Sequence, residues 1–163
     1  MSTTDLSFAA TSLPAVALSF MNEVHHEELN LVHELLAQLD AEQTDESVNK
    51  AANEAISAQL AQWLAHTQAH FERENFLMQT YHFFAYPLHA AEHELALQQL
   101  SAVQSAWEQS TDRATLRAYI QTWRNWLQQH ISTMDFVTAQ FLSQFPIPNN
   151  LKEIDQLREH EDC

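Results

Sequence analysis

Apolar residues recur at helical spacing through nearly the whole chain. From Pro14, the segment PAVALSFMNEVHHEELNLVHELLAQL places Phe20, Val24, Leu31, Leu35 and Leu39 four or seven residues apart, which predicts an amphipathic helix ending near Asp40. A polar connection, AEQTDES, follows, with Thr44 or Asp45 as candidate N-cap. A long second helix is expected from about Glu46 to about Thr80. The aromatic stretch YHFFAYP ends on Pro87 and should break that helix. A third helix is expected from near Pro87 to about Gln109, and a fourth, capped by Ser110 or Thr111, to about Gln144. FPIPNN stops it, because two prolines so close together cannot continue a helix. Four long helices with short connections predict an all-α, up-down-up-down four-helix bundle over residues 14–145. Residues 1–13 read as a short N-terminal arm, and 146–163 as a C-terminal tail able to form a short helix.

Composition sharpens this reading. The 163 residues contain no glycine, which argues against hairpins, barrels and phosphate-cradling loops. The formal charge of −15 excludes the basic patches that nucleic acid or an anionic membrane surface would require. No lysine or arginine precedes Lys50, while that segment carries nine carboxylates, which suit a solvated acidic face, with a surface for a basic partner as the alternative. The single cysteine, Cys163, is the last residue and allows no internal disulfide, in keeping with a reducing cytoplasm. Neither a signal peptide nor a transmembrane run is evident.

The candidate chemistry centres on His66–His93, HTQAHFERENFLMQTYHFFAYPLHAAEH. His70 and Glu74 lie four apart, as do His89 and His93, so each pair projects two donors from one helix face. The first helix adds a histidine from HHEEL, and the fourth adds His130 and Asp135 from WLQQHISTMD. An imidazole-rich set with two carboxylates suits a pair of metal ions, because carboxylates can bridge them, and imidazole accepts iron, zinc or copper. His130 and Asp135 are five apart, about 140° around a regular helix, so a π-type widening is expected between them.

The ordered series of a first-helix histidine, HFxxE, HxxxH and WLxxHIxxxD resembles the hemerythrin family, including its bacterial members, over roughly residues 14–145. Met21-Asn22, His70-Phe71, Met78, Tyr86-Pro87 and Trp126-Leu127 add local matches. The resemblance implies two iron ions with an oxo or hydroxo bridge. His89, His93 and His130 would hold one iron, His26 and His70 the other, and Glu74 and Asp135 would bridge both. His26 is preferred to His25 because Leu29 follows it by the family's three-residue spacing. The iron with fewer histidines would keep an open position for O2, bound reversibly for transport, storage or sensing, and open also to nitric oxide, peroxide or azide-type anions. Trp126, Leu127, Ile131 and Phe71 are the candidate apolar lining, Phe76 a weaker one. Two alternatives stand beside a non-enzymatic oxygen binder. One is a di-iron redox enzyme, peroxidase-like or oxidising nitric oxide or ferrous iron; the other is a regulatory module responding to ligand through a partner. A ferritin-type oxidase fits poorly, since paired ExxH motifs are missing. Oligomeric state is left open. His25, His33, His66, His82 and His160 carry no role by the resemblance, although His66, a turn before His70, is placed for an outer contact.

Overall fold

The computed structural model describes residues 13–41 and 45–161, and every regular element among them is helical. The order is α1 (Ser19–Asp40), α2 (Glu46–Thr80), α3 (Tyr86–Ser110), α4 (Arg113–His130), a π-helical segment (Ile131–Asp135), α5 (Phe136–Leu142) and α6 (Leu151–Glu161). Helix α2 packs against both α1 and α3, and α4 packs against the same two. Leu35, Leu39, Ile56, Leu60, Trp63, Leu100, Trp107, Ile120 and Trp123 fill the core between them. No helix of the described residues is long and apolar enough to cross a membrane. Most of the N-terminal arm, the candidate cap Thr44 and Cys163 lie outside the described residues.

Several boundaries moved, each for a local reason. Helix α1 begins at Ser19 rather than Pro14. The Asn22 side chain accepts from the Val16 amide (2.9 Å) and donates to the Val16 carbonyl (3.0 Å). Both polar groups of that residue are thereby satisfied without a helical turn. Asp45 caps α2, its side chain accepting from the Ser47 amide. Neither Ser110 nor Thr111 caps α4. Thr111 (φ 48°) takes the left-handed position that ends α3, a place often filled by glycine in chains that contain it. Asp112 is the cap instead, accepting from the amides of Ala114 and Thr115.

The expected widening is present. Residues 131–135 form a π-helical turn inside an otherwise continuous helical run. The Ser132 and Thr133 hydroxyls donate to the carbonyls of Gln128 (2.8 Å) and Gln129 (2.7 Å), giving acceptors on the loosened turn new partners.

The tail does form a helix, and it docks. Ile154 of α6 is fully buried in the common core. Arg73 of α2, itself buried, makes a two-pronged pair with Asp155 (2.9 and 3.2 Å), and Arg158 donates to Glu72. Truncating Ile154 to alanine should weaken this docking by about 2–4 kcal/mol. Amide hydrogen exchange across Leu151–Glu161 should then accelerate well beyond that of α2.

Candidate metal centre

Buried polar residues gather where α1, α2, α3 and the π segment meet. Ligating atoms of Glu74, His89, His93, His130 and Asp135 lie within 4.8 Å of one another, and so do those of His25, His70, Glu74 and Asp135. The carboxylates Glu74 and Asp135 belong to both groups. Two overlapping nests of donors thus share their acidic members, with three imidazoles on one side and two on the other.

Helix geometry explains the convergence. His70 and Glu74 stand one turn apart on α2, and His89 and His93 one turn apart on α3. The π turn swings Asp135 back to the face of His130, so that His130 Nε2 lies 3.1 Å from Asp135 Oδ1. His89 Nε2 approaches the same oxygen at 3.1 Å, and His25 Nε2 approaches Asp135 Oδ2 at 3.0 Å. On the other carboxylate, Glu74 Oε1 lies 2.8 Å from His70 Nε2, and Glu74 Oε2 lies 3.2 Å from His93 Nε2 and 3.5 Å from His89 Nε2.

One expected residue is misplaced by a single position. His26 is exposed, whereas His25 is buried at 1% and stands in the cluster. The buried stripe of α1 runs Met21, Val24, His25, Glu28, Leu29, Val32. His25 lies on that stripe at three- and four-residue intervals; His26 lies a further 100° around the helix, facing out. The periodicity therefore held the signal that the spacing to Leu29 overrode.

The partners behind the imidazoles are a second group that the motifs did not reveal. The outer nitrogens of His89 and His130 pair with Thr138 Oγ1 (2.7 Å) and Glu92 Oε2 (2.7 Å), and that of His93 with Asn75 Oδ1 (2.9 Å). His70 Nδ1 lies 3.3 Å from Oε2 of the buried Glu28. Glu28 Oε1 in turn accepts from Trp63 Nε1 (3.2 Å) and Thr67 Oγ1 (3.0 Å). The hydrogen bonds to Thr138, Glu92 and Asn75 fix ring orientation and tautomer and leave the inner nitrogens aimed at the shared space, while His70 has a close charge contact with Glu28. His66 pairs with Glu27 at the surface, its ring 6.5 Å from that of His70.

Apolar groups cover the flanks. Phe71 stacks on His93 (3.9 Å between centroids, 5° between planes), and the half-buried Trp126 stacks on His130 (4.6 Å, 19°). Leu127 and Ile131 are fully buried, and Phe76 packs against the core from a partly buried position.

The donor set fits metal ions. His25 Nε2, His93 Nε2, Glu74 Oε2 and both Asp135 oxygens are buried, yet none makes a well-directed hydrogen bond among the described residues. Buried polar atoms rarely go unsatisfied, and cations seated in the two donor groups would satisfy these. Without a cation, protons take over part of that task. Burial opposes charge on His70, but Glu74 and Glu28 outweigh it and raise the imidazole to about 10. Burial likewise opposes charge on His130, which Asp135, Glu74 and Glu92 still raise to about 9. His93 goes the other way, its burial pulling it down to about 4. The Asp135 carboxyl is held well below its ordinary range despite burial, chiefly by His130.

Because an imidazole that takes a metal must shed its proton, metal uptake near neutral pH should release protons and tighten as pH rises. A weakly buffered titration with a pH indicator measures this directly. In the metal-free protein the raised His70 contributes stability that is complete below 6.5 and lost as pH climbs through about 10. The lowered Asp135 contributes stability present above 3.8 and lost on acidification.

Residues 16–142 match the family model described as the hemerythrin HHE cation-binding domain. The chain belongs to the hemerythrin family. Bacteriohemerythrin of Aquifex aeolicus (strain VF5) is 30% identical over 127 residues, covering 76% of this chain and 88% of that protein. No solved structure gives a significant match. The cluster thus lies within a cation-binding family domain and consists of residue types able to hold a metal.

Proposed function

We propose that this hemerythrin-family chain binds O2 reversibly at a pair of iron ions with an oxo or hydroxo bridge. His89, His93 and His130 would hold one iron, His25 and His70 the other, and Glu74 and Asp135 would span both. The observation that carries the reading is the unequal split of imidazoles around two shared, fully buried carboxylates. The half with fewer protein donors is the one with room for an exogenous ligand. When bound, the iron pair would supply the electrons that hold O2 and take them back on its release.

The chain's own residues perform the remaining tasks. Glu28, Asn75, Glu92 and Thr138 orient the imidazoles from behind. Phe71, Trp126, Leu127 and Ile131 exclude water from the cluster, and dryness favours release of O2 over irreversible oxidation. Glu74 and Asp135 concentrate negative charge where two cations must sit close together. The preponderance of imidazole over carboxylate favours this reading over a ferritin-type oxidase. The small anions and nitric oxide that compete for open iron positions are expected ligands of the same half. The scaffold is proposed to be an up-down-up-down four-helix bundle over 14–145. The run α4–π–α5 would supply its last member, and the tail would be an appended helix. A cytoplasmic setting accords with the lone cysteine.

The test is an anaerobic titration of metal-free protein with ferrous iron, followed by admission of oxygen. A break at two irons per chain and uptake of one O2 per pair, with no hydrogen peroxide accumulating, is the expected result. Continued oxygen consumption with peroxide formed would replace the carrier reading with an oxidase.

A further inference from the structure

Glu28 links the metal centre to an aromatic cluster that the proposed oxygen chemistry does not use. Its two oxygens face different ways. One lies 3.3 Å from His70 Nδ1; the other accepts from Trp63 Nε1 at 3.2 Å. Trp63 is fully buried, and its ring packs edge-on against Trp123 (5.0 Å) and tilted against Tyr119 (6.1 Å). Tyr119 is only partly buried and stands one turn from Trp123 on α4. The result is a chain of contacts from a metal-site imidazole, through a carboxylate and an indole, to the partly buried phenol of Tyr119 on α4.

We propose that Trp63 and Tyr119 form an escape path that carries oxidising equivalents from the metal centre to the surface of α4, where a small thiol quenches them. The inference rests on the iron reading above.

Core packing alone accounts for a buried tryptophan at this position. It does not account for the placement of a buried carboxylate both on the indole N–H and against a ligating imidazole. A carboxylate 3.2 Å from the indole stabilises positive charge on that ring, and the dry surroundings strengthen the effect. Indole and phenol are among the side chains most readily oxidised by one electron, and these two are in ring contact. Tyr119 is the least buried of the three rings; burial and Glu28 keep its phenol protonated at rest, and oxidation of the ring releases the proton.

When bound, ferrous iron would supply one electron to hydrogen peroxide, giving ferric iron, hydroxide and a hydroxyl radical. The radical takes one electron from Trp63, and with a proton from solvent becomes water. Trp63 regains its electron from Tyr119, whose phenolic O–H bond breaks as the proton goes to solvent. The net reaction is tyrosine plus hydroxyl radical giving neutral tyrosyl radical plus water. A thiol then returns a hydrogen atom to Tyr119, and two thiyl radicals join as a disulfide.

The experiment treats iron-loaded protein with substoichiometric hydrogen peroxide, then reads freeze-quenched electron paramagnetic resonance and oxidised peptides. Wild type, Trp63→Phe and Tyr119→Phe are compared, with zinc-loaded wild type as the control. The expected result is a tyrosyl signal and Tyr119 oxidation in the iron-loaded wild type, quenched by added thiol. Both should be lost in Tyr119→Phe. In Trp63→Phe the tyrosyl signal should vanish and oxidation should shift to residues around the cluster, such as Phe71. Tyr119→Phe removes one oxygen from a half-buried ring, so the test stands even where Trp63→Phe fails to fold. A tyrosyl signal unchanged in Tyr119→Phe, or Tyr119 oxidation equally strong with zinc, would overturn the path. Iron content is read on the same samples. A pair of irons present without oxidation at Tyr119 overturns the path alone, whereas failure to load iron overturns the iron reading and the path with it.

Discussion

Asp135→Asn should empty both halves of the metal centre. Asp135 is fully buried, and its two oxygens reach His25 at 3.0 Å and His89 and His130 at 3.1 Å each. No other residue except Glu74 stands in both donor groups. Asparagine keeps the shape but removes the charge, and it turns an NH2 donor toward nitrogens that must act as acceptors. Metal content by elemental analysis should fall to background, where loss of a ligand to one ion alone would halve it. The metal-free fold should suffer as well. Removing one partner from a buried charged network costs about 3–5 kcal/mol, read as a lower denaturation midpoint. Retention of half the metal would contradict the shared role of this carboxylate.

A paired substitution on α1 carries the second large effect. His25→Ala should remove the metal held with His70 and leave the three-histidine half loaded, halving the metal content. His26→Ala should keep both metals and change stability by no more than about 0.5 kcal/mol, as an exposed helical position does. The adjacent residues are close to ideal controls for each other. They share composition and helix, and differ only in the 100° that turns one inward.

That pair also shows where local motif reading reaches its limit. The donors on α2 and α3 were legible because their i, i+4 spacing is itself the geometry that brings them together. The π turn was legible because a five-residue interval between His130 and Asp135 has no regular-helix solution. The histidine on α1 had no such partner on its own helix, and only the burial stripe through Val24, Glu28 and Val32 distinguishes His25. The residues behind the imidazoles come from other helices, separated in sequence by 38 positions for His130 and Glu92 and by 49 for His89 and Thr138. Periodicity along one helix does not encode such pairings. The helix ends moved for similar reasons. In a chain without glycine, Thr111 was drawn into the left-handed position and the cap passed to Asp112. Asn22 held Val16 out of α1 through side-chain bonds that composition does not foretell.

The measurement that tests the central claim most directly is the visible absorption spectrum of the iron-loaded, reduced protein cycled between air and argon. The proposed reversible binding predicts a ligand-to-iron charge-transfer band that appears in air, fades under argon and returns in air over repeated cycles, with iron content unchanged. A spectrum that converts once to an oxidised form and then ignores oxygen would contradict reversible binding.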